Sequence, residues 1–342
     1  MADRPVAGTG GDVYIPYEER TGGESVVFFT RDLSPEGLMK AYERVNEHIT
    51  GKVAIKTHSG EPNGPNIIPP AWVKAFMEKE APDATIIETN IWYPGKRYTT
   101  AEHRETLHIN GWDQFTTVDI TDSHDDGTDD NHAMLPVNGG KWFTEMSVGA
   151  HLLNYDSMIT LTHFKGHASG GFGGANKNIG IGCASGHEGK KMIHQADTGE
   201  RMGVKQEELM ERIAESTKAT IDHFGENVTY VNVMRNMSVD CDCAGVNASP
   251  VVTPNVGILA SLDICAIDTA CVDLVWAMTE EQNHDLVERI TSRHGLRQLT
   301  YMQELGMGNM KYTLIDMDND DAVIQPADAV AHCVPFKLEL AG

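Results

Sequence analysis

The sequence predicts an α/β fold with a largely parallel sheet, helices on both faces and a β-hairpin insertion. Two observations carry this prediction: short apolar runs alternate with amphipathic stretches, and turn-forming residues separate them. The first strand-like runs are 26–30, 53–58, 84–90 and 115–120, and the first helix-like stretches are 38–49 and 70–80. That order is typical of βαβ units, whose parallel strands are covered on both faces.

The alternation breaks at 122–142, where an acidic loop is followed by the turn signal Asn138-Gly139-Gly140, which predicts the hairpin. Strand and helix patterns then resume and predict one α/β body over 1–342. A subdivision near 122–150, into lobes 1–121 and 151–342, stays an open alternative. The later elements predicted are strands at 158–163, 228–234, 256–261 and 312–317, a helix over Gln206–Phe224, and helices between 268 and 305.

Composition limits the classes of partner and compartment. The 342 residues carry a net charge of −23, which argues against nucleic acid as a partner, because phosphate binding needs clustered Lys and Arg. The sequence shows no signal-peptide-like or membrane-spanning apolar run. The six cysteines follow no disulfide-scaffold spacing. We therefore expect a cytoplasmic protein with reduced thiols and no membrane partner.

The segment 161–185, LTHFKGHASGGFGGANKNIGIGCAS, directly follows an apolar strand and concentrates residues that bind and react. Glycines allow a ligand to approach the main chain, and lysine, asparagine and the N–H groups of a helix start suit an anion. We interpret this segment as the functional centre. Its predicted catalytic residues are His163, Lys165 and His167, and its predicted anion-binding cradle is Gly171, Gly173, Gly174, Asn176, Lys177 and Asn178.

Standard motifs do not describe this segment. A dinucleotide fingerprint starting at Gly171 needs glycine where Asn176 stands, and a P-loop ending at Lys190 needs Ser or Thr where Lys191 stands. A zinc-protease helix needs glutamate where Phe164 stands. For each histidine, a structural hydrogen-bonding role remains the alternative to proton transfer.

Polar residues also follow the ends of three predicted strands. They are Thr57-His58-Ser59, Glu88-Thr89-Asn90 and Thr162-His163. In open α/β sheets the ligand crevice lies at the carboxyl ends of the strands. We expect these three exits to surround one pocket together with the segment Cys241-Asp242-Cys243, which follows the strand 228–234.

Several blocks of the sequence resemble the "domain of unknown function 362" family, described as iron–sulphur centre proteins. The blocks are VAIKTHSGEPNGPNIIPPAWV at 53–73, ETNIWYPGKRY at 88–98, THFKGHASGGFGGANKNIGIGCAS at 162–185, CDCAGVNASPVV at 241–252 and ILASLDICAIDTACVDLV at 258–275. Many relatives carry an inserted ferredoxin-like segment with two cysteine runs after the glycine block. The corresponding stretch here, 186–217, contains no cysteine, so this chain lacks the pair of iron–sulphur clusters that would carry electrons in those relatives.

The cysteines divide into two groups. Cys265, Cys271 and Cys333 lie in apolar stretches typical of core packing, since a free cysteine behaves as a small hydrophobe. The others, Cys183, Cys241 and Cys243, lie beside polar residues and are candidate ligands of a metal or iron–sulphur cluster. His194, which resembles a histidine that follows the glycine block in relatives, a neighbouring subunit or the substrate would supply the fourth ligand. Reduced structural thiols are the alternative.

Three functional hypotheses follow. The first is a cytosolic iron–sulphur or metal-dependent enzyme that acts on a small anionic, carboxylate-type substrate, with redox chemistry. The second is an electron-transfer or binding module without its own turnover, which predicts a redox partner protein, an exposed cluster and no deep pocket. The third is a metal-free isomerase or lyase that uses His and Lys alone. The sequence leaves the assembly open, with a homo-oligomer as one alternative.

Overall fold

A computed structural model describes residues 4–334; the ends of the predicted body, 1–3 and 335–342, lie outside the described residues. The strands are β1 Glu24–Thr30, β2 Val53–Lys56, β3 Thr85–Glu88, β4 Asp119–Ile120, β5 His132–Pro136, β6 Glu145–Gly149, β7 Ser157–His163, β8 Lys165–His167, β9 Gly171–Gly173, β10 Val228–Met234, β11 Gly257–Ser261, β12 Lys311–Asp316 and β13 Ala322–Ile324. The α-helices are α1 Pro35–Tyr42, α2 Pro70–Glu80, α3 Thr100–Ile109, α4 Ala175–Gly182, α5 Gly189–His194, α6 Gln206–Phe224, α7 Ile264–Trp276, α8 Glu280–Ser292, α9 Arg297–Glu304 and α10 Pro326–Val330.

Nine strands form one sheet in the order β13-β12-β1-β11-β10-β7-β2-β3-β4. The pairs β10–β7, β7–β2, β2–β3, β3–β4 and β1–β12 are parallel, and β11 and β13 are antiparallel to their neighbours. The predicted mostly parallel α/β fold is confirmed. Strands from both sides of the segment 122–150 pair within this sheet, since β2 is the neighbour of β7.

The predicted hairpin insertion is confirmed as β5 and β6, which pair antiparallel from His132 opposite Gly149 to Pro136 opposite Glu145. Gly139 has φ +78° in the connecting turn, a conformation that favours glycine. The hairpin is held by α6, because the buried Glu215 carboxylate accepts from the backbone N–H groups of Lys141, Trp142 and Phe143. A second hairpin, β8 with β9, was not predicted from the sequence.

Hydrophobic layers cover both faces of the sheet. On one face of the sheet, a cluster packs the side chains of α1, α2 and α3 against strand residues that include Ile55 of β2. The fully buried Phe76 and Trp112 belong to this cluster. The larger cluster packs α4, α6 and α7 on the other face. Local sequence fixes the helix starts: Thr99 and Glu102 form a capping box at α3, and the Asp263 side chain accepts from Ala266 N–H at α7.

Several predicted elements are shorter in the structure. The helix expected over 38–49 ends at Tyr42, the runs 53–58 and 84–90 form the four-residue strands β2 and β3, and β4 retains two residues of the run 115–120. Within residues 4–334, no helix has both the length and the apolar composition needed to cross a membrane.

Candidate functional site

A cavity of about 360 Å³ opens at the carboxyl ends of β2, β3 and β7. His58 follows the C-terminal end of β2, and Glu88 and Thr89 lie at the C-terminal end of β3; all three line the cavity. The chain after β7 contributes Lys165 and His167 to the wall. Its other lining residues are Lys56, Ile91, Trp92, Tyr93, Arg97, Ala168, Ser169, Gly173, Lys177, Asn178, Ile181, Gly182, Lys190, His194, Met202, Asp240, Cys241, Cys243 and Ala244.

Cys241, Cys243 and His167 form a group in the cavity wall that can hold a metal ion, because their ligand atoms lie within 4.8 Å of one another. The Cys241 sulphur accepts from the Cys243 backbone N–H at 3.4 Å. The contact with the Cys243 thiol lowers the pKa of Cys241 well below its usual range, against the effect of burial. The same contact, together with burial, raises the pKa of Cys243.

Asp242, between the two cysteines, anchors this segment to the sheet, a role that the sequence did not reveal. Its carboxylate lies 2.9 Å from His163 Nδ1 and 3.2 Å from Lys165 Nζ, and all three side chains are buried. Burial acts to raise the pKa of Asp242, but the His163 and Lys165 charges outweigh it and lower that pKa below its usual range. The His163 Nε2 atom lies 2.6 Å from the Arg235 carbonyl oxygen.

His163 is therefore engaged at both ring nitrogens and does not line the cavity, so the predicted catalytic role is corrected to a positioning role. Lys165 does line it, but its ammonium group is paired with Asp242. Burial lowers the pKa of Lys165, and Asp242 outweighs this effect and raises it. For His167, burial and the Lys177 charge lower the pKa to about 4, so its ring is neutral near pH 7.

Lys177 is the lysine of the cavity wall that remains available to a ligand. Burial lowers its pKa, and the charges acting most strongly on it come from the two thiols, Lys165 and Arg97. Among residues 4–334, no acceptor makes a hydrogen bond or ion pair with its Nζ atom. An anion entering the cavity would meet a cation that the described part of the chain does not neutralise through a carboxylate contact.

Two other lysines of the wall are occupied by the protein. Lys56 Nζ pairs with Glu88 at 2.8 Å, and both side chains are almost fully buried. Lys190 Nζ donates to Thr89 Oγ1 at 2.6 Å, to the Asn90 carbonyl at 2.5 Å and to the Ala184 carbonyl at 2.9 Å. No pattern in the sequence indicated that either lysine belongs to the site. These contacts hold the residues at the C-terminal ends of β2 and β3 in place.

The glycine-rich helix start binds an anion, but the anion is part of the protein. The Asp268 carboxylate of α7 accepts from Ala175 N–H at 2.7 Å and from Asn176 N–H at 2.9 Å, at the first turn of α4. A Cβ on Gly174 would lie 2.4 Å from Asp268 Oδ1, which explains the glycine. The interpretation of this start as a cradle for an external anion is therefore corrected.

Other members of the predicted cradle also have structural contacts. Asn176 is fully buried and donates to Gln298 Oε1 at 2.9 Å, away from the cavity. Gly171 has φ +76°, and a Cβ there would lie 2.7 Å from Gly295. Asn178 reaches the cavity wall, but its Nδ2 donates to Thr162 Oγ1 at 3.0 Å. Gly173 lines the cavity beside the Lys165 side chain.

The predicted ligands Cys183 and His194 are not members of the group formed by Cys241, Cys243 and His167. Cys183 packs in the hydrophobic core at the end of α4, and burial raises the pKa of its thiol to about 12. His194 lines the cavity, and its buried Nδ1 has no hydrogen-bond partner among residues 4–334. Burial and the Lys177 charge lower the pKa of His194 to about 3, so its ring is neutral.

The chain belongs to the family described as "Domain of unknown function (DUF362)", whose model matches residues 53–273 of the 342. That match contains both the glycine-rich segment and the Cys241–Cys243 segment. No curated protein matches the sequence.

Two solved structures share a distant likeness. The lactate racemase apoprotein from Thermoanaerobacterium thermosaccharolyticum aligns with a TM-score of 0.38 and 14% identity, over 89% of this chain and 85% of that chain. A structural-genomics protein from Thermotoga maritima aligns with a TM-score of 0.38 and 12% identity, over 75% of this chain and 57% of that chain.

Proposed function

We propose that the protein is a metal-dependent enzyme that acts on a small carboxylate-type substrate inside the cavity. The observation that carries the proposal is the position of Cys241 and Cys243, whose sulphurs lie side by side in the wall of a partly open cavity. The same wall holds Lys177, whose Nζ atom has no acceptor among residues 4–334. When bound, the metal would supply Lewis-acid or electron-transfer chemistry at this wall.

The donor set favours one metal ion over a four-cysteine iron–sulphur cluster. A cluster of that kind needs four thiolates, and only Cys241 and Cys243 of the described cysteines line the cavity. Cys183 lies in the core instead. Two thiolates suit a soft or borderline ion such as Zn²⁺, with further positions left for solvent or substrate. We derive no step through an iron–sulphur cluster.

The substrate part of the proposal rests on the contrast between Lys177 and the apolar side chains of the wall. Lys177 offers a charged donor for one carboxylate, and such hydrogen bonds are stronger than neutral ones. Ile91, Trp92 and Ile181 would contact an apolar body on the same substrate. The neutral His194 ring adds a polar group to that wall without a charge.

The residues of the chain would bind, orient and shield the substrate. Lys177 would hold the carboxylate, and the Asp242 contacts with His163 and Lys165 would keep the two sulphurs in place. The buried Lys56–Glu88 pair would hold its part of the cavity wall in place. The cavity walls shield a bound substrate from part of the bulk water, which strengthens each of these electrostatic contacts.

The alternative of an electron-transfer module is less well supported. It predicts an exposed cluster and no deep pocket, whereas Cys241 is 5% exposed and lies in a cavity. The third hypothesis, a metal-free isomerase or lyase, needs Lys177 and the histidines but neither thiol.

The test is metal binding by the full chain. Purified wild-type protein, stripped with a chelator and reloaded with Zn²⁺, should bind about one ion per chain by elemental analysis and calorimetry. Cys241→Ser and Cys243→Ser should each weaken binding by at least about 100-fold, because each removes a ligand. Cys183→Ser is the matched control and should keep wild-type stoichiometry.

Two results would contradict the proposal. One is wild-type protein that binds neither Zn²⁺ nor Fe²⁺ above the level of the Cys241→Ser, Cys243→Ser double variant. The other is equal loss in Cys183→Ser, with circular dichroism showing that all variants are folded.

A further inference from the structure

We infer that His58 and His167 are a matched pair of N–H donors to the Cys241 and Cys243 sulphurs, and that neither histidine is a metal ligand. The inference rests on the proposed function for its metal, but the histidine geometry stands without it. It assigns a role to His58, which had none, and changes the role that proximity alone would give His167.

The two histidines lie in similar short turns on opposite segments of the chain. His58 begins the sequence His-Ser-Gly, and His167 begins His-Ala-Ser-Gly. In both turns the backbone folds back on the ring. Gly60 N–H donates to His58 Nδ1 at 2.9 Å, and Gly60 has φ +79°, which allows this turn.

The turn at His167 makes the same contact twice. Ser169 N–H donates to His167 Nδ1 at 3.1 Å, and Gly170 N–H donates to the same atom at 2.9 Å. A backbone N–H always donates, so Nδ1 must present its lone pair and carries no proton in either ring. The remaining proton of each imidazole is therefore on Nε2.

Both Nε2 atoms point at sulphur. His58 Nε2 lies 3.8 Å from Cys241 Sγ, and His167 Nε2 lies 4.0 Å from Cys243 Sγ. These are distances at which an N–H group donates weakly to a thiol or thiolate sulphur. With the Cys243 backbone N–H at 3.4 Å, the Cys241 sulphur is approached by two N–H donors.

Ligation by His167 would require the opposite tautomer. A neutral imidazole that binds metal through Nε2 carries its proton on Nδ1 and normally donates it to a carboxylate or carbonyl. Here that proton would face the N–H groups of Ser169 and Gly170, and both hydrogen bonds would be lost. The donor set is therefore two sulphurs, with imidazole N–H groups orienting them and drawing charge from them.

The first experiment reads the tautomers directly. Full-length metal-free protein, labelled with ¹⁵N-histidine, is examined by long-range ¹H–¹⁵N correlation NMR, and the His58 and His167 signals are assigned by difference from the His58→Gln and His167→Gln variants. We expect both rings to show an unprotonated Nδ1 and a protonated Nε2. Protonated Nδ1 in either ring would overturn the inference for that ring, whatever the metal results.

The second experiment separates a donor from a ligand in the metal-bound protein. Glutamine keeps an N–H donor but removes the imidazole nitrogen, whereas leucine removes both. For Zn²⁺ measured by calorimetric competition, we expect His167→Gln to stay within about 3-fold of wild type and His167→Leu to weaken binding by about 10- to 100-fold, the usual effect of losing an outer hydrogen bond to a ligand. His58→Gln and His58→Leu should behave alike.

X-ray absorption of the Zn²⁺-loaded wild type should show two sulphur neighbours and no imidazole scattering. Imidazole scattering, or equal loss in the Gln and Leu variants of His167, would overturn the inference. If wild-type protein binds no metal at all, the proposed function fails, while the tautomer result still decides whether the two N–H donors exist.

Discussion

The His163 ring and the Asp242 carboxylate form a buried pair 2.9 Å apart, which joins the end of β7 to the segment carrying both cavity cysteines. The Lys165 ammonium group pairs with the same carboxylate. The pair links residues 79 positions apart in the chain, so it fixes the Cys241–Cys243 segment to the sheet. The cysteine positions in the cavity wall depend on this contact.

Asp242→Asn should destabilise the protein by about 3 to 5 kcal/mol, because the neutral amide leaves the Lys165 ammonium buried without its carboxylate. Urea unfolding followed by circular dichroism measures the change. The matched control is Asp125→Asn at an exposed position, which should change stability by no more than about 0.5 kcal/mol. An Asp242→Asn midpoint equal to that of wild type would show that the pair is not needed.

The fold was predictable because its signals are local. Apolar runs gave the strand positions, and Asn138-Gly139-Gly140 gave the hairpin turn, since turn chemistry depends on adjacent residues. The β8–β9 hairpin could not be predicted, because each of its strands has three residues, too few to show the alternation of apolar and polar residues that marks a strand.

The site was predictable only in part, because its contacts join distant positions. The sequence indicated that three strand ends and the Cys241–Cys243 segment would surround one pocket. His58, Glu88, Thr89 and the two cysteines do share a cavity, whereas Thr162 and His163 do not line it. It could not show that Asp268, 93 residues after Ala175, fills the start of α4. The same pattern of glycine and asparagine suits an external anion and an internal carboxylate equally well.

Asp268→Ala tests the internal anion directly. Removing the carboxylate should leave the Ala175 and Asn176 N–H groups unsatisfied and cost about 3 kcal/mol or more of unfolding free energy. Sodium formate should restore part of the loss relative to sodium chloride at equal ionic strength, since a small carboxylate can occupy the vacated helix start. Wild-type protein in the two salts is the control. A variant as stable as wild type would contradict the assignment of Asp268 as the bound anion.

Lys177→Met should weaken carboxylate binding because it removes a cavity lysine that has no acceptor within the described residues 4–334. With acetate, propionate and benzoate as probes, we expect wild-type affinity to rise with the size of the apolar body, and the variant to lose about 10- to 100-fold for each, in line with the free energy of a charged hydrogen bond. Calorimetry measures both.

The matched control for this loss is Lys74→Met, an exposed lysine on α2 away from the cavity. It should bind all three probes as wild type does. Equal weakening by both variants would mean that the effect comes from net charge and not from the cavity.

His194 should make stability fall as the pH is lowered. Its folded pKa is about 3, below the ordinary value of 6.5, because burial disfavours the charged ring. Between these values the unfolded chain binds a proton that the folded chain does not, so unfolding becomes more favourable as the pH falls. The contribution should be fully present above pH 6.5 and should decrease by on the order of 3 kcal/mol by about pH 4, at about 1.4 kcal/mol per unit.

Urea unfolding of wild type and His194→Gln at steps between pH 7 and pH 4 measures this linkage. The unfolding free energy of the variant should fall less steeply as the pH is lowered, because glutamine does not titrate. The difference between the two slopes should correspond to about one bound proton. His124→Gln removes an exposed histidine and should keep the wild-type slope. Parallel curves for wild type and His194→Gln would mean that the His194 ring takes up its proton equally readily in the folded and unfolded chain, and would remove the argument that a neutral imidazole faces the substrate.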